Sequence, residues 1–295
     1  MTYLRALKYE LVKHLRKKRT FWAFVAVAAL VTILLVAYVV SSFDPVERYL
    51  TAGSRFERAA AHVIVQKFSN GMLFATLFIG LLSYALMPVL AVAFGGELVS
   101  TEIQLGTLRT ALTRPVTRFG YYMTKYAYAI LITLGFVFFT ALFTYAMGVI
   151  FLGRGPLLIG AAFWRDARLV SYPSLATLNE PTAFVRYLVA YLLVAIAVMT
   201  MTTLSFTLST LVKHTGAAMI IAISLYFILH ILAQTPWLES WRPYLFVTKM
   251  DLWLPVFRLD PPSGEIWGNV LYFAVYNAAL LAVGLAVFLR RDVTC

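Results

Sequence analysis

Six stretches of the chain are apolar, free of Asp, Glu, Lys and Arg, and as long as a bilayer is thick. They cover residues 21–40, 72–95, 126–151, 187–211, 216–238 and 266–289. A hydrocarbon core of about 30 Å needs about 20 apolar residues in a helix, so each stretch can span. The run from 187 to 238 holds 52 residues, too many for one span. Lys213, with His214 and Gly216 beside it, marks a tight hairpin between two. The first stretch is longer than the apolar part of a secretory signal, and no small-x-small cleavage site follows it. It reads as a retained span. The predicted fold class is an all-α polytopic membrane protein, with one transmembrane domain over residues 1–295.

Charge sets the expected orientation. The chain carries a net charge of +12, with 13% charged and 61% hydrophobic residues. A soluble domain has about 25% charged residues, and a disordered chain lacks this much Leu, Phe, Tyr and Val. A basic balance of this size suggests either nucleic acid or a membrane surface. Apportioned by segment, it points to the membrane. Residues 1–20, the 96–125 loop, Lys213 and the C-terminal tail hold 14 basic and four acidic residues. The other loops hold 11 basic and nine acidic residues. Basic residues gather on the cytoplasmic side, so both termini are expected in the cytoplasm of a cell (inner) membrane. No soluble domain is present to support a nucleic-acid role. The 235–265 loop contains Trp237, Trp241, Tyr244, Trp253 and Pro255, residues that favour the headgroup level, so it is expected on or in the outer interface. Pro173, Pro181, Pro243, Pro261 and Pro262 argue against long regular structure in the outer loops.

Little chemistry is encoded. The one cysteine, Cys295, excludes an intrachain disulfide. His14, His62, His214 and His230 form no metal-binding pattern, and no metal or cofactor is expected in this chain. A secondary transporter usually carries ionisable groups mid-membrane and discontinuous helices at the midplane. Neither is evident. No nucleophile with a base, and no acidic phosphate motif, suggests an intramembrane enzyme.

Three segments carry more. In residues 1–20, Leu4, Leu7, Leu11 and Leu15 form one helical stripe, with Arg5, Lys13, Arg16 and Lys17 off it and Arg19 closing the basic run. This is a basic amphipathic helix, expected to lay its stripe in the inner headgroup region. The plainer reading is a positive-inside anchor. The 96–125 loop is too long for a simple reversal. It places Glu97 and Glu102 just past the membrane edge, a turn at Gly106–Thr107, and a break at Arg114–Pro115. It is expected to form short helices that project from the cytoplasmic face. In span four, Thr200, Thr203, Thr207 and Thr210 form one stripe, with Thr202, Ser205 and Ser209 roughly opposite. Helix packing through hydroxyls explains these. So does the lining of a translocation path, for which Thr203, Thr207, His230 and Asn277 are the candidates.

The loop resembles that of a known family. Glu102, Gly106, Thr107, Leu112, Pro115, Val116, Thr117, Arg118 and Lys125 match the cytoplasmic-loop pattern of ABC-2 type transporter permeases. The amphipathic N-terminal helix, six spans and terminal Arg290-Arg291-Asp292 are similar in layout. The resemblance implies the ABC-2 exporter fold and an ATP-driven permease subunit, with a second permease copy or homologue as partner. It also implies two copies of a separate ATP-binding subunit, which would hold ATP and Mg and dock on the loop. Glu97, Glu102, Gly106, Thr107, Arg109, Arg114, Pro115, Arg118 and Lys125 would form the docking and coupling surface. The chain itself has no GxxxxGK[ST] sequence and is not expected to be an enzyme. A local salt bridge or helix cap formed by Glu102 and Arg118 is the simpler reading of that pair. A secondary transporter and a non-transporting scaffold or sensor subunit remain the alternative functions.

Overall fold

The apolar stretches all fold as helices in the computed structural model, which describes residues 3–15, 18–40, 69–107, 117–159, 163–165, 168–170 and 176–290. An amphipathic helix α1 (Tyr3–Leu15) leads into α2 (Lys18–Val40). Helices α3 (Gly71–Leu81) and α4 (Met87–Gly96) make one span, followed by the short α5 (Ser100–Gln104). Then come α6 (Arg118–Leu152), α7 (Glu180–Leu211), α8 (Thr215–Gln234) and α9 (Ser263–Arg290). Among the described residues, six helices are long and apolar enough to cross a membrane. The protein is therefore an all-α polytopic membrane protein in its architecture.

Two helices run past their expected ends. Helix α6 has 35 residues, about 52 Å at 1.5 Å per residue, well beyond a hydrocarbon core. It starts at Arg118 because the Thr117 hydroxyl accepts the Gly120 N–H at 3.1 Å, an N-cap. Helix α7 starts seven residues earlier than the apolar stretch, with Pro181 in its first turn. Proline there is pre-set for a helix and lacks only an N–H that would be orphaned anyway. Pro181 thus opens a helix, contrary to its reading as a breaker. Pro236 fits the opposite role: α8 stops at Gln234 rather than at 238.

The second span is not a continuous α-helix. A π-helical turn, Leu82–Leu86, separates α3 from α4. Pro88 has no N–H to give to the Tyr84 carbonyl four residues earlier. The Tyr226 hydroxyl of α8 donates to that oxygen instead. A hydroxyl from a neighbouring helix is how membrane proteins accommodate an interior proline.

Helix α7 forms the centre, packed on α4, α6, α8 and α9. Thr200, Met201, Thr202, Thr203, Leu204, Ser205, Phe206 and Thr207 are all buried, so this part of α7 is covered on every side, whereas Val185, Val189 and Leu192 nearer its start are exposed. Its approach to α4 depends on Gly95, where a Cβ would overlap the Thr202 carbonyl oxygen. Helices α3 and α6 cross as closely, with Gly71 and Gly148 in backbone contact. Small residues of this kind let membrane helices gain dispersion contacts. Helix α9, by contrast, buries only Phe273, Gly284 and Phe288 among its described residues.

The end of the bundle away from α1 carries short regular elements. Strand β1 (Leu157–Ile159) pairs antiparallel with β4 (Ala176–Leu178), and β2 (Phe163–Arg165) with β3 (Arg168–Val170), one hairpin inside the other. Between α8 and α9, 3-10 turns form at Pro236–Tyr244, Phe246–Lys249 and Leu254–Phe257. Trp237, Trp241 and Tyr244 are exposed, as an interfacial segment requires. Trp253 and Pro255 are buried among the spans with Phe246, Met250 and Phe257. That half of the loop packs into the protein and is corrected from its interfacial reading. The Arg186 guanidinium of α7 holds it, donating to the carbonyls of Val256, Arg258 and Leu259 at 3.3, 2.7 and 3.3 Å.

Candidate functional site

The 96–107 segment folds back on itself within a few residues. The Ser100 hydroxyl donates to the Gly96 carbonyl at 2.6 Å, and α5 runs for one turn. Gly106 then takes φ +68°, a value that glycine adopts without steric cost, and its N–H donates to the Ile103 carbonyl. The Thr107 hydroxyl closes onto the Glu102 carbonyl at 3.4 Å. The expected Gly-Thr turn is therefore present. Arg109, Arg114 and Pro115, together with Leu112 and Val116, lie outside the described residues.

Both carboxylates of this segment are buried rather than projecting: Glu97 is 7% and Glu102 is 8% exposed. Lys125, about two helical turns beyond the start of α6, is 1% exposed. Its ammonium donates to Glu102 Oε1 at 2.9 Å and lies 3.5 Å from Glu10 Oε1 on α1. Lys13 of α1 donates to the same Glu102 oxygen at 2.8 Å. Tyr121, one turn before Lys125, faces the ammonium with its ring at 5.1 Å. Among the described residues, two carboxylates and two ammonium groups thus meet inside a small volume. A buried ammonium is costly unless paired, and these carboxylates supply the pairing. The quartet ties α5 to both α1 and α6.

The N-terminal helix contributes more than a membrane face. Glu10 and Lys13 are three residues apart and project on one side. Leu7 and Leu11 pack against the hydrophobic core, so this part of the leucine stripe faces the bundle rather than the headgroups. Arg16 is outside the described residues, as are the side chains of Leu4, Leu15 and Arg19.

A second joint connects α5 to α8. Gln104 Oε1 accepts the Thr215 N–H at 3.4 Å and the Thr215 hydroxyl at 3.3 Å. The Thr101 and Thr215 hydroxyls share a hydrogen bond of 3.0 Å. Arg118 ties α6 to the end of α9, donating to the Leu289 carbonyl at 3.2 Å. Glu102, paired in reading with Arg118, is bound by Lys13 and Lys125.

The hydroxyl stripe of α7 lies inside the protein. Thr203 is 1% exposed, donates to the Met199 carbonyl and hydrogen-bonds the Tyr126 hydroxyl of α6 at 3.1 Å. Thr207 donates to the Leu280 carbonyl of α9 at 2.9 Å. Asn277 of α9 donates to the Thr200 hydroxyl at 2.9 Å and to the Phe273 carbonyl. Thr202 and Thr133 join α7 to α6 at 2.9 Å. His230 packs its ring between Tyr84 and Tyr226, with centroids 4.3 and 4.9 Å away. Each of these candidates takes part in a contact between helices.

The sequence pattern missed Glu10, Lys13 and Gln104. A signal existed for Glu10, the lone acidic residue in the basic segment before span one. Gln104 stands at an unspecified position of the loop pattern and gave none. No curated protein matches the chain. A family match covers residues 27–294, nearly the whole molecule, and the chain belongs to that family, which is described as "Protein of unknown function (DUF2705)".

Proposed function

We propose that the chain is the membrane subunit of an ABC-2 type exporter, moving its substrate with energy from a separate ATP-binding subunit. The observation that carries this reading is the charged quartet of Glu10, Lys13, Glu102 and Lys125. A loop that receives force from a partner must pass it on without deforming. Breaking one member out of a buried ionic group costs about 3–5 kcal/mol. Load on α5 therefore moves α1 and the start of α6 with it. The remaining loop residues through Arg118 would meet the ATPase, two copies of which would serve a pair of permease chains.

The basic end of the bundle faces the cytoplasm in this reading, following the distribution of Lys and Arg. ATP and Mg belong to the partner. Six spans with uncharged cores and scattered hydroxyls suit a lipid-like, peptide or drug-like cargo carried outward. The test is purification of the tagged chain from membranes of its own host in mild detergent. The expected result is a co-purifying P-loop ATPase at about one copy per permease chain, with Mg-dependent hydrolysis. Glu102→Ala should keep that complex together and reduce the hydrolysis rate severalfold. Isolation of the intact chain with no P-loop ATPase, in detergent and in native-lipid discs alike, overturns the proposal.

A further inference from the structure

Helix α8 starts without a cap of its own. The side chain of its N-cap residue, His214, makes no bond to the first turn. The next residues are Thr215 and Gly216, and around Gly216 there is open space. First-turn N–H groups have no acceptor within their helix, so one must come from elsewhere. Here it comes from α5. Gln104 Oε1 takes both the N–H and the hydroxyl of Thr215, and the Thr101 hydroxyl joins the same group. Gly96, at the end of α4, lies against Met219 one turn further into α8.

We propose that Gln104 is a positioning residue that caps α8 from outside, so that the first turn of span five depends on where α5 sits. The two joints of α5 then differ in kind. Towards α1 and α6 it is held by charged groups at 2.8–2.9 Å, of which Lys125 is buried and Lys13 is partly exposed. Towards α8 it is held by neutral groups at 3.0–3.4 Å, with Gln104 itself exposed. Charge-assisted bonds are roughly twice as strong as neutral ones, so a displaced α5 parts from α8 first. This rests on the exporter reading for the source of the displacement. An ATPase pulling on the loop would release or restore the cap, and span five would change its first turn in step with nucleotide.

The test is hydrogen exchange of a peptide covering residues 212–219, in lipid discs. In the chain alone, Gln104→Leu removes the acceptor and should speed exchange about fivefold, the worth of a typical helix cap. Gln104→Glu keeps an acceptor oxygen and should exchange like the parent. Equal exchange in the parent and Gln104→Leu overturns the cap. In the ATPase-loaded complex, exchange of this peptide should change at least about twofold with nucleotide, and Gln104→Leu should abolish that response while hydrolysis continues. A loaded parent complex whose peptide ignores nucleotide overturns the relay and leaves the exporter reading standing. Failure to find any ATPase defeats the exporter reading, and the first arm still decides the cap.

Discussion

Replacing Lys125 by Met leaves two carboxylates and one ammonium where two of each cancelled. Lys125 is 1% exposed, so its partners lose a counter-charge that water cannot replace at that position. Removal of one member of a buried ionic group costs about 3–5 kcal/mol. Glu102→Gln is milder. Lys125 keeps Glu10 at 3.5 Å, and the Lys13 side chain, 36% exposed, can turn to water. The loss is that of charged hydrogen bonds, about 1.5–3 kcal/mol. In the double variant the group again carries one charge of each sign, Glu10 and Lys13. Its cost should fall short of the sum of the single costs by at least about 1 kcal/mol. Unfolding by SDS in mixed micelles, followed by tryptophan fluorescence, measures all four corners of the cycle. Additivity within about 0.5 kcal/mol would refute the reasoning, because it would mean that Glu102 and Lys125 do not sense each other.

Two further substitutions probe the spans. Tyr226→Phe removes the donor to the Tyr84 carbonyl and should cost about 1–3 kcal/mol. Adding Pro88→Ala restores a backbone N–H near that carbonyl and should recover part of the loss in the same SDS titration, whereas no recovery would separate the hydroxyl from the proline. Gly71→Ala drives a methyl into the Gly148 backbone and should cost about 3 kcal/mol, the upper end for overpacking, since backbone yields less than a side chain. Gly135→Ala meets open space and should stabilise the chain by about 0.5–1 kcal/mol.

The spans were legible because charge and length are decisive for insertion into lipid, and both can be read residue by residue. Their ends were less so. Stretches defined by the absence of charge stop at Tyr126 and Tyr187, while the helices run on through Lys125 and Arg186 into the region beyond the hydrocarbon. Topology rules treat a lysine near the membrane as a solvated marker, yet Lys125 is among the most completely buried large side chains. Its burial depends on Glu10 and Glu102, which lie far from it in the chain and on two other helices. The outer loop teaches the same lesson with identical residue types. Trp237 is 94% exposed and Trp253 is 1% exposed. Local sequence cannot separate them, because only Arg186 and the neighbouring spans draw the second one inward.

The placement of charge at this joint follows from what apolar contact cannot specify. Burial of apolar surface is non-directional and scales with the area covered. Leu7 and Leu11 alone would therefore let α1 shift along the bundle with little change in energy. The charges remove that freedom. Glu10 and Lys13 sit one turn apart on α1, so a shift of a single turn carries both away from Lys125 and Glu102 and leaves the latter pair with its surplus lone pairs unmet. Only one register of α1 places both its charges against their opposites. The quartet thus sets where α1 lies along α6, and the same contacts that set it bind α5. A force applied to the loop therefore reaches the first span, through the helix that leads into it, in one fixed alignment.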